Sequence, residues 1–205
     1  MRDLIILGTG VHAAEMAHIV DRINAQEPTW NLLGHVAPPG GKVSAEFAGT
    51  PVLGTIEVLA EHPGAAIVTD NEFPKSVELP ADRLINLIDP SAYIHPTATI
   101  GRGCVIYPNC FVGLNAKLGD RIFALSGVTI NHDDVIGDRT VFASGATLAG
   151  CVTVEEDCYI GQSSTIRQHL RIGRSSLIGM GAVVVKDVEP NSVMAGNPAR
   201  PLKSR

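Results

Sequence analysis

Aromatic residues are scarce, at 4% of a 205-residue chain that is 45% apolar overall. A core with so few rings has to be narrow and filled by branched aliphatic side chains. Cysteine is scarce too, with four in all. Cys104, Cys110 and Cys158 fall at positions that read as small interior packing sites, where a free thiol behaves as a small hydrophobe. A reduced, cytoplasmic protein is the expectation. There is no basic excess: the formal charge of -5 leaves no positive face for nucleic acid. No apolar run nears the roughly eighteen residues of a membrane span. The start has one Arg, then only Leu4 to Leu7 before Gly8, too short for a secretion signal.

What the chain does have is a beat of six. From Ile94 to Val184 every sixth residue is large and apolar, Ala124 being the one exception in sixteen positions. Two residues before each lies a second slot, filled mostly by small or β-branched side chains. Glycine often follows the large slot, where a Cβ would crowd a corner. Neither a helix nor an open strand repeats every six residues, so the period predicts a parallel β-helix. Ala124 fits the same scheme. Ile122 fills the small slot of its hexad, and with three hexads to a coil Ala124 stacks beside Phe142.

The first ninety residues follow another pattern. Strands are predicted over Leu4–Leu7, Trp30–Val36, Ala65–Thr69 and Leu84–Ile88. A helix is predicted over Ala13–Ile23 and a shorter one over Thr55–Glu61. Strand and helix alternate, which implies a small Rossmann-like parallel α/β domain at 1–89, with the β-helix and a C-terminal cap at 90–205. Gly8-Thr9-Gly10-Val11-His12-Ala13 follows a strand and opens a helix, a context in which a phosphate can approach glycine backbone and a helix N-terminus. The second strand ends without the carboxylate that a nicotinamide cofactor's ribose would want, so NAD is disfavoured and another phosphate-bearing ligand is not. A plain tight turn that binds nothing is the alternative.

With both halves in view, the chain resembles the NeuD/PglD family of bacterial sugar O- and N-acetyltransferases over nearly its whole length. The residues that carry the resemblance are Gly8-Thr9-Gly10-Val11-His12, Pro51-Val-Leu-Gly54, Ile94-His-Pro96, Asn131-His-Asp133 with Val135-Ile-Gly137, Leu148-Ala-Gly150 and Ala195-Gly-Asn-Pro-Ala199. The resemblance implies a left-handed β-helix, a hand that spacing cannot reveal. It also implies a homotrimer with acetyl-CoA as co-substrate in the groove between neighbouring subunits, and a sugar or nucleotide-sugar held by the N-terminal domain through Gly8, Thr9, Gly10 and His12, with Asn131 contributing. His132 matches the family's general base and Asp133 the acidic residue that orients it. Gly150 matches the glycine whose N–H meets the thioester oxygen.

Spacing adds to this independently. His132 sits on an outward corner, and Gly150 lies eighteen residues on, about 4.8 Å higher in the same column. An imidazole titrates in the range a base needs, and a glycine N–H can meet a developing oxyanion. Ser144, Gln162 and Met180 stack on one corner and are candidates for contact with a pantetheine arm. Lys186, Arg200, Lys203 and Arg205 are candidates for the coenzyme phosphates or, equally, a solvated tail. Asp134 falls in an inward slot, commonly Cys in the family, where a carboxylate without partners is costly. Either it turns to the backbone or to His132, or the coil opens there, and Asp133 and Asp134 both stay candidates for the ring's partner. No second histidine lies near His132 in sequence, so no metal centre is expected.

The chain departs from the family at Val11, which stands for a third glycine, at Ala37, which stands for an acidic residue, and in a shortened segment after Thr69. The expected activity is acetyl transfer to an amino group of a nucleotide-linked sugar in surface-glycan synthesis. Sialic-acid-type O-acetylation is the near alternative, and a non-catalytic trimeric scaffold the distant one.

Overall fold

The six-residue period closes into a solenoid because each hexad supplies one short strand and one corner. In the computed structural model, which describes residues 1–41 and 43–202, the chain falls into two units, Met1–Pro90 and Ser91–Arg205. Lys203 and Arg205 lie outside the described residues.

In the second unit a two-residue strand recurs from Tyr93–Ile94 to Val183–Val184. The second residue of each strand points inward and the first outward. Strands eighteen residues apart pair in parallel, as Tyr93↔Phe111↔Thr129 show, so three hexads make one coil. Three flat faces result. The first stacks Tyr93–Ile94, Phe111–Val112, Thr129–Ile130, Thr147–Leu148, Thr165–Ile166 and Val183–Val184. The second runs from Thr99–Ile100 to Arg171–Ile172, and the third from Val105–Ile106 through Leu177–Ile178 to Val193–Ala195, where Arg200–Pro201 adds an antiparallel strand. This is a β-solenoid of the left-handed β-helix type.

Packing inside the prism follows volume. Ala124 pairs with Phe142, and both are buried with Ile122 beside them. Inward polar slots are reconciled by the backbone: Ser164 Oγ donates to Gly161 O at 2.8 Å, and Ser176 Oγ to Glu189 O at 3.0 Å. The inward cysteines do the same more weakly, Cys158 Sγ reaching Gly173 O at 3.3 Å. Burial pushes the Cys104 thiol up to about 12, which keeps it protonated and inert. The glycines after the large slots are there for room. A Cβ on Gly113 would come within 2.9 Å of the backbone at Asn131 and His132, one coil above.

In the first unit, β1 (Arg2–Leu7) pairs in parallel with β2 (Trp30–Val36). A hairpin of β3 (Glu46–Phe47) and β4 (Thr50–Gly54) extends the sheet beyond β2, and β5 (Ala66–Thr69) completes it on the other side, giving the order β3-β4-β2-β1-β5. Helix α1 (Val11–Gln26) buries Ala13, Met16, Ala17, Ile19 and Val20. It stops where Glu27, held extended ahead of Pro28, leaves helical geometry.

Three details differ from the sequence reading. The segment over Thr55–Glu61 is a single 3-10 stretch, Ile56–Ala60. The hairpin was not foreseen, since its first strand, Glu46–Phe47, has too few residues to show an alternation. The last predicted strand shrinks to Leu87–Ile88, with Leu84 making only a bridge to Ile67. Among the described residues no helix is long and apolar enough to cross a membrane.

Candidate active site

The corner between the first and second faces carries Asn131-His132-Asp133-Asp134. Asp133 takes the left-handed conformation there, φ 60°, and this turns its carboxylate back toward the preceding ring. His132 Nδ1 lies 3.0 Å from Asp133 Oδ2, and Asn115 Nδ2 donates to Asp133 Oδ1 at 3.2 Å from one coil below. The bond from His132, then the one from Asn115, holds the Asp133 carboxyl below its usual range. With Nδ1–H donating to Asp133, the Nε2 lone pair is left as the free base of the ring.

Asp134 does not share that task. It is fully buried, and it bonds the backbone: Oδ2 accepts from Asn131 N–H at 2.7 Å and Oδ1 from Val152 N–H at 2.8 Å. It therefore ties the corner to the coil above. Desolvation is the largest influence on its carboxyl, which is pushed up to about 7.

Gly150 lies under the imidazole. Any Cβ there would overlap His132 Nε2 and Cε1. The neighbouring corner bonds run from Cys151 N–H to His132 O and from His169 N–H to Gly150 O. They bypass Gly150 N–H, which among the described residues takes no ladder bond. His132, Asp133 and Cys151 each bring a ligand-type atom within 4.8 Å of one another, close enough in distance to chelate a divalent ion.

Beside the ring is a cavity of about 480 Å³ bounded by Tyr93, His95, Phe111, Leu114, Asn131 and His132. Tyr93 and Phe111 form its wall, stacked at 5.4 Å and 12° while both stay substantially exposed. Sequence reasoning missed this pair. The signal was available: two rings in successive outward positions of one face, in a chain with few rings.

Ser144, Gln162 and Met180 do come together. They line a mostly apolar groove of about 470 Å³ with Tyr159 and Leu177. Gly161, which also lines it, has no room for a side chain, because a Cβ there would meet the backbone of the next coil at Ile178 and Met180. This groove follows the corner between the third and first faces, whereas His132 sits between the first and second. Ring and groove therefore occupy different edges of one prism. Lys186 is exposed and belongs to the column of His132 and Gly150, three coils above the histidine and away from the groove.

Residues 151–186 match the family model described as the hexapeptide repeat of succinyl-transferase. Across the full length, the acetyltransferase domain of PglB from Neisseria gonorrhoeae FA1090, solved with acetyl coenzyme A, is 27% identical with a TM-score of 0.83, covering 98% of this chain and 99% of that one. The chain is a hexapeptide-repeat protein built like the NeuD/PglD sugar acetyltransferases. A mutant GDP-perosamine N-acetyl transferase from Caulobacter crescentus, in complex with CoA and GDP-perosamine, is similar to this chain at a TM-score of 0.87, 22% identity, and coverage of 100% and 98%. At that identity the likeness speaks for the fold. Among curated relatives, an acyl-[acyl-carrier-protein]–UDP-N-acetylglucosamine O-acyltransferase of Aliivibrio fischeri (strain MJ11) is 42% identical over 117 residues, 57% of this chain and 40% of its own. The chain spans about a third to two fifths of the length of the curated relatives it matches.

In the first unit, Gly8, Thr9, Gly10 and His12 lie where β1 passes into α1. Gly10 is the helix N-cap and offers no side-chain cap. The residues facing this turn come from the end of β5. A Cβ on Gly8 would overlap the Asp70 carboxylate, and one on Gly10 would lie 2.9 Å from Glu72 Oε2. His12 Nδ1 is 3.2 Å from Glu15 Oε2.

Proposed function

We propose that this chain transfers an acetyl group from acetyl-CoA to an amino group of a nucleotide-linked sugar. The observation that carries the reading is the His132–Asp133 pair laid over Gly150, with the apolar groove of Ser144, Gln162 and Met180 on another edge of the same prism. Asp133 fixes the ring so that Nε2 can accept a proton from the amine as its nitrogen attacks the thioester carbon. In this reading Gly150 N–H donates to the oxygen on which negative charge then collects. The tetrahedral intermediate collapses with the coenzyme sulfur as leaving group, and the imidazolium returns the proton to it. No acyl-enzyme is needed, since no serine or cysteine is matched as nucleophile.

Because ring and groove lie on separate edges, a complete site requires the histidine edge of one copy to meet the groove edge of another. A closed homotrimer satisfies this for all copies at once. The N-terminal unit, Rossmann-like in this reading, holds the sugar nucleotide through the turn at Gly8, Thr9, Gly10 and His12, and Asn131 lines the acceptor cavity. The PglB domain solved with acetyl coenzyme A supports the choice of donor. Several curated relatives are named as O-acyltransferases of UDP-N-acetylglucosamine, which makes a sugar hydroxyl the second acceptor to test.

The test is thiol release from acetyl-CoA with a panel of amino and hydroxy nucleotide sugars. Release that requires an amino sugar and vanishes in His132→Ala supports the proposal. Release that survives His132→Ala moves the base elsewhere, and none with any sugar leaves a scaffold.

A further inference from the structure

Asp133 and Cys151 hold the same corner position in successive coils of the solenoid. Both have left-handed backbone, φ 60° and 62°, and each directly follows a member of the His132–Gly150 column. Their setting is fixed by neighbours. Cys151 N–H donates to His132 O at 2.9 Å, and Asn115 Nδ2 donates to Asp133 Oδ1 at 3.2 Å. A ring nitrogen of His132, a carboxylate oxygen of Asp133 and the sulfur of Cys151 therefore lie within 4.8 Å of one another. The group is open to solvent, with the histidine and aspartate side chains 57% and 48% exposed and the cysteine partly so.

The thiol separates this cluster from the other cysteines. Cys104, Cys110 and Cys158 are buried, and their sulfurs reach Gly119 O, Leu125 O and Gly173 O at 3.3, 3.2 and 3.3 Å. Cys151 is the one cysteine that is not buried. Imidazole nitrogen, carboxylate oxygen and thiolate sulfur together suit Zn²⁺, which takes such mixed donors in a tetrahedron. Mg²⁺ and Ca²⁺ call for oxygen donors alone. Three protein ligands leave the fourth position to water. Proximity in sequence hides the set, because its third member arrives from the next coil.

We propose that His132, Asp133 and Cys151 form a zinc site that switches off the ring as a base. On binding, the thiol gives up its proton to solvent and the thiolate takes the metal. A neutral imidazole has one N–H and one lone pair. Zinc on Nε2 consumes the lone pair that would accept the amine proton. Zinc on Nδ1 displaces the hydrogen shared with Asp133 and leaves the ring's one hydrogen on Nε2. No base remains in either case. The inhibitory half rests on the reading of His132 as the base, whereas metal binding stands without it.

The test is titration of the reduced whole chain with Co²⁺ as a spectroscopic probe, followed by displacement with Zn²⁺. A thiolate-to-cobalt charge-transfer band grows in with one Co²⁺ per chain and disappears as Zn²⁺ is added. Cys151→Ser loses the band and weakens Zn²⁺ about 100-fold or more, at least the cost of a lost supporting contact. Serine suits that corner, since Ser163 and Ser175 hold the same left-handed conformation, so the variant folds and its metal-free activity is unchanged. Formation of acetylated sugar falls in the wild type over the range in which Zn²⁺ binds, and persists there in Cys151→Ser. No thiolate band, a band that survives Cys151→Ser, or bound zinc that leaves wild-type transfer intact would overturn the proposal. A band lost in Cys151→Ser, in a chain that transfers no acetyl group, supports the metal site and removes the transfer reading alone.

Discussion

The imidazole of His132 rests on the bare Cα of Gly150, one coil further along the same edge, in space that any Cβ would occupy. A glycine at this point has two uses that no other residue combines. It leaves room for the base, and its corner geometry presents an N–H that the solenoid ladder does not consume.

Gly150→Ala separates those uses. The N–H remains but the ring is displaced, so kcat should fall by about 10² or more, the scale of a misplaced catalytic group. His132 is largely exposed and can swing outward, so the melting temperature should change little. Steady-state kinetics with a thermal melt on the same sample check both halves. Full activity in the folded variant would show that the ring works from another position.

Asp133→Asn and Asp134→Asn should differ in kind. Asparagine at 133 can present its amide in place of the acceptor that holds Nδ1–H, so the ring loses its fixed tautomer. The expected drop is about 10²-fold in kcat, with the fold unchanged. At 134 the same change removes one acceptor from the backbone bridge between Asn131 and Val152, costing about 1–3 kcal/mol of stability. Kinetics and denaturant melts of the two variants, measured side by side, test the division.

Asp134 also sets a pH dependence of stability. Its carboxyl is raised from an ordinary 3.8 to about 7, so between those values the folded state holds more protons than the unfolded one. Its contribution is complete below about pH 4 and is lost as pH rises through about 7. Melts taken across that window should show the wild type losing stability with rising pH by a margin that Asp134→Asn does not share. Parallel slopes in the two proteins would contradict it.

Met180→Glu places a charge on the rim of the apolar groove. A coenzyme arm lying there should be held less well, raising KM for acetyl-CoA about tenfold with kcat nearly unchanged. The size of the particle in solution, measured by light scattering, should stay that of the wild type. A fall in kcat without a change in KM would place the coenzyme on some other edge.

Within the prism, Ala124→Leu overfills the layer it shares with Phe142 and should cost about 1–3 kcal/mol. Phe142→Leu in the same chain should restore part of that loss, because the pair shares one volume. Additive losses in a double-mutant cycle would show that the two residues pack independently.

The sequence alone determined the solenoid, because a side-chain period of six repeated over sixteen positions permits no slip without turning apolar residues to solvent. The stacking of Ala124 on Phe142, the shared column of His132 and Gly150, and the common corner of Ser144, Gln162 and Met180 all follow from counting in eighteens. Only the tertiary structure decided what counting leaves open. Which carboxylate the His132 ring takes depends on the left-handed turn at Asp133 and on backbone N–H groups at Asn131 and Val152 that claim Asp134. The same holds in the first unit, where Asp70 and Glu72 reach Gly8 and Gly10 across some sixty residues of chain. A periodic pattern encodes contacts between neighbours in a stack, whereas these contacts depend on where parallel strands happen to end, which no local pattern records.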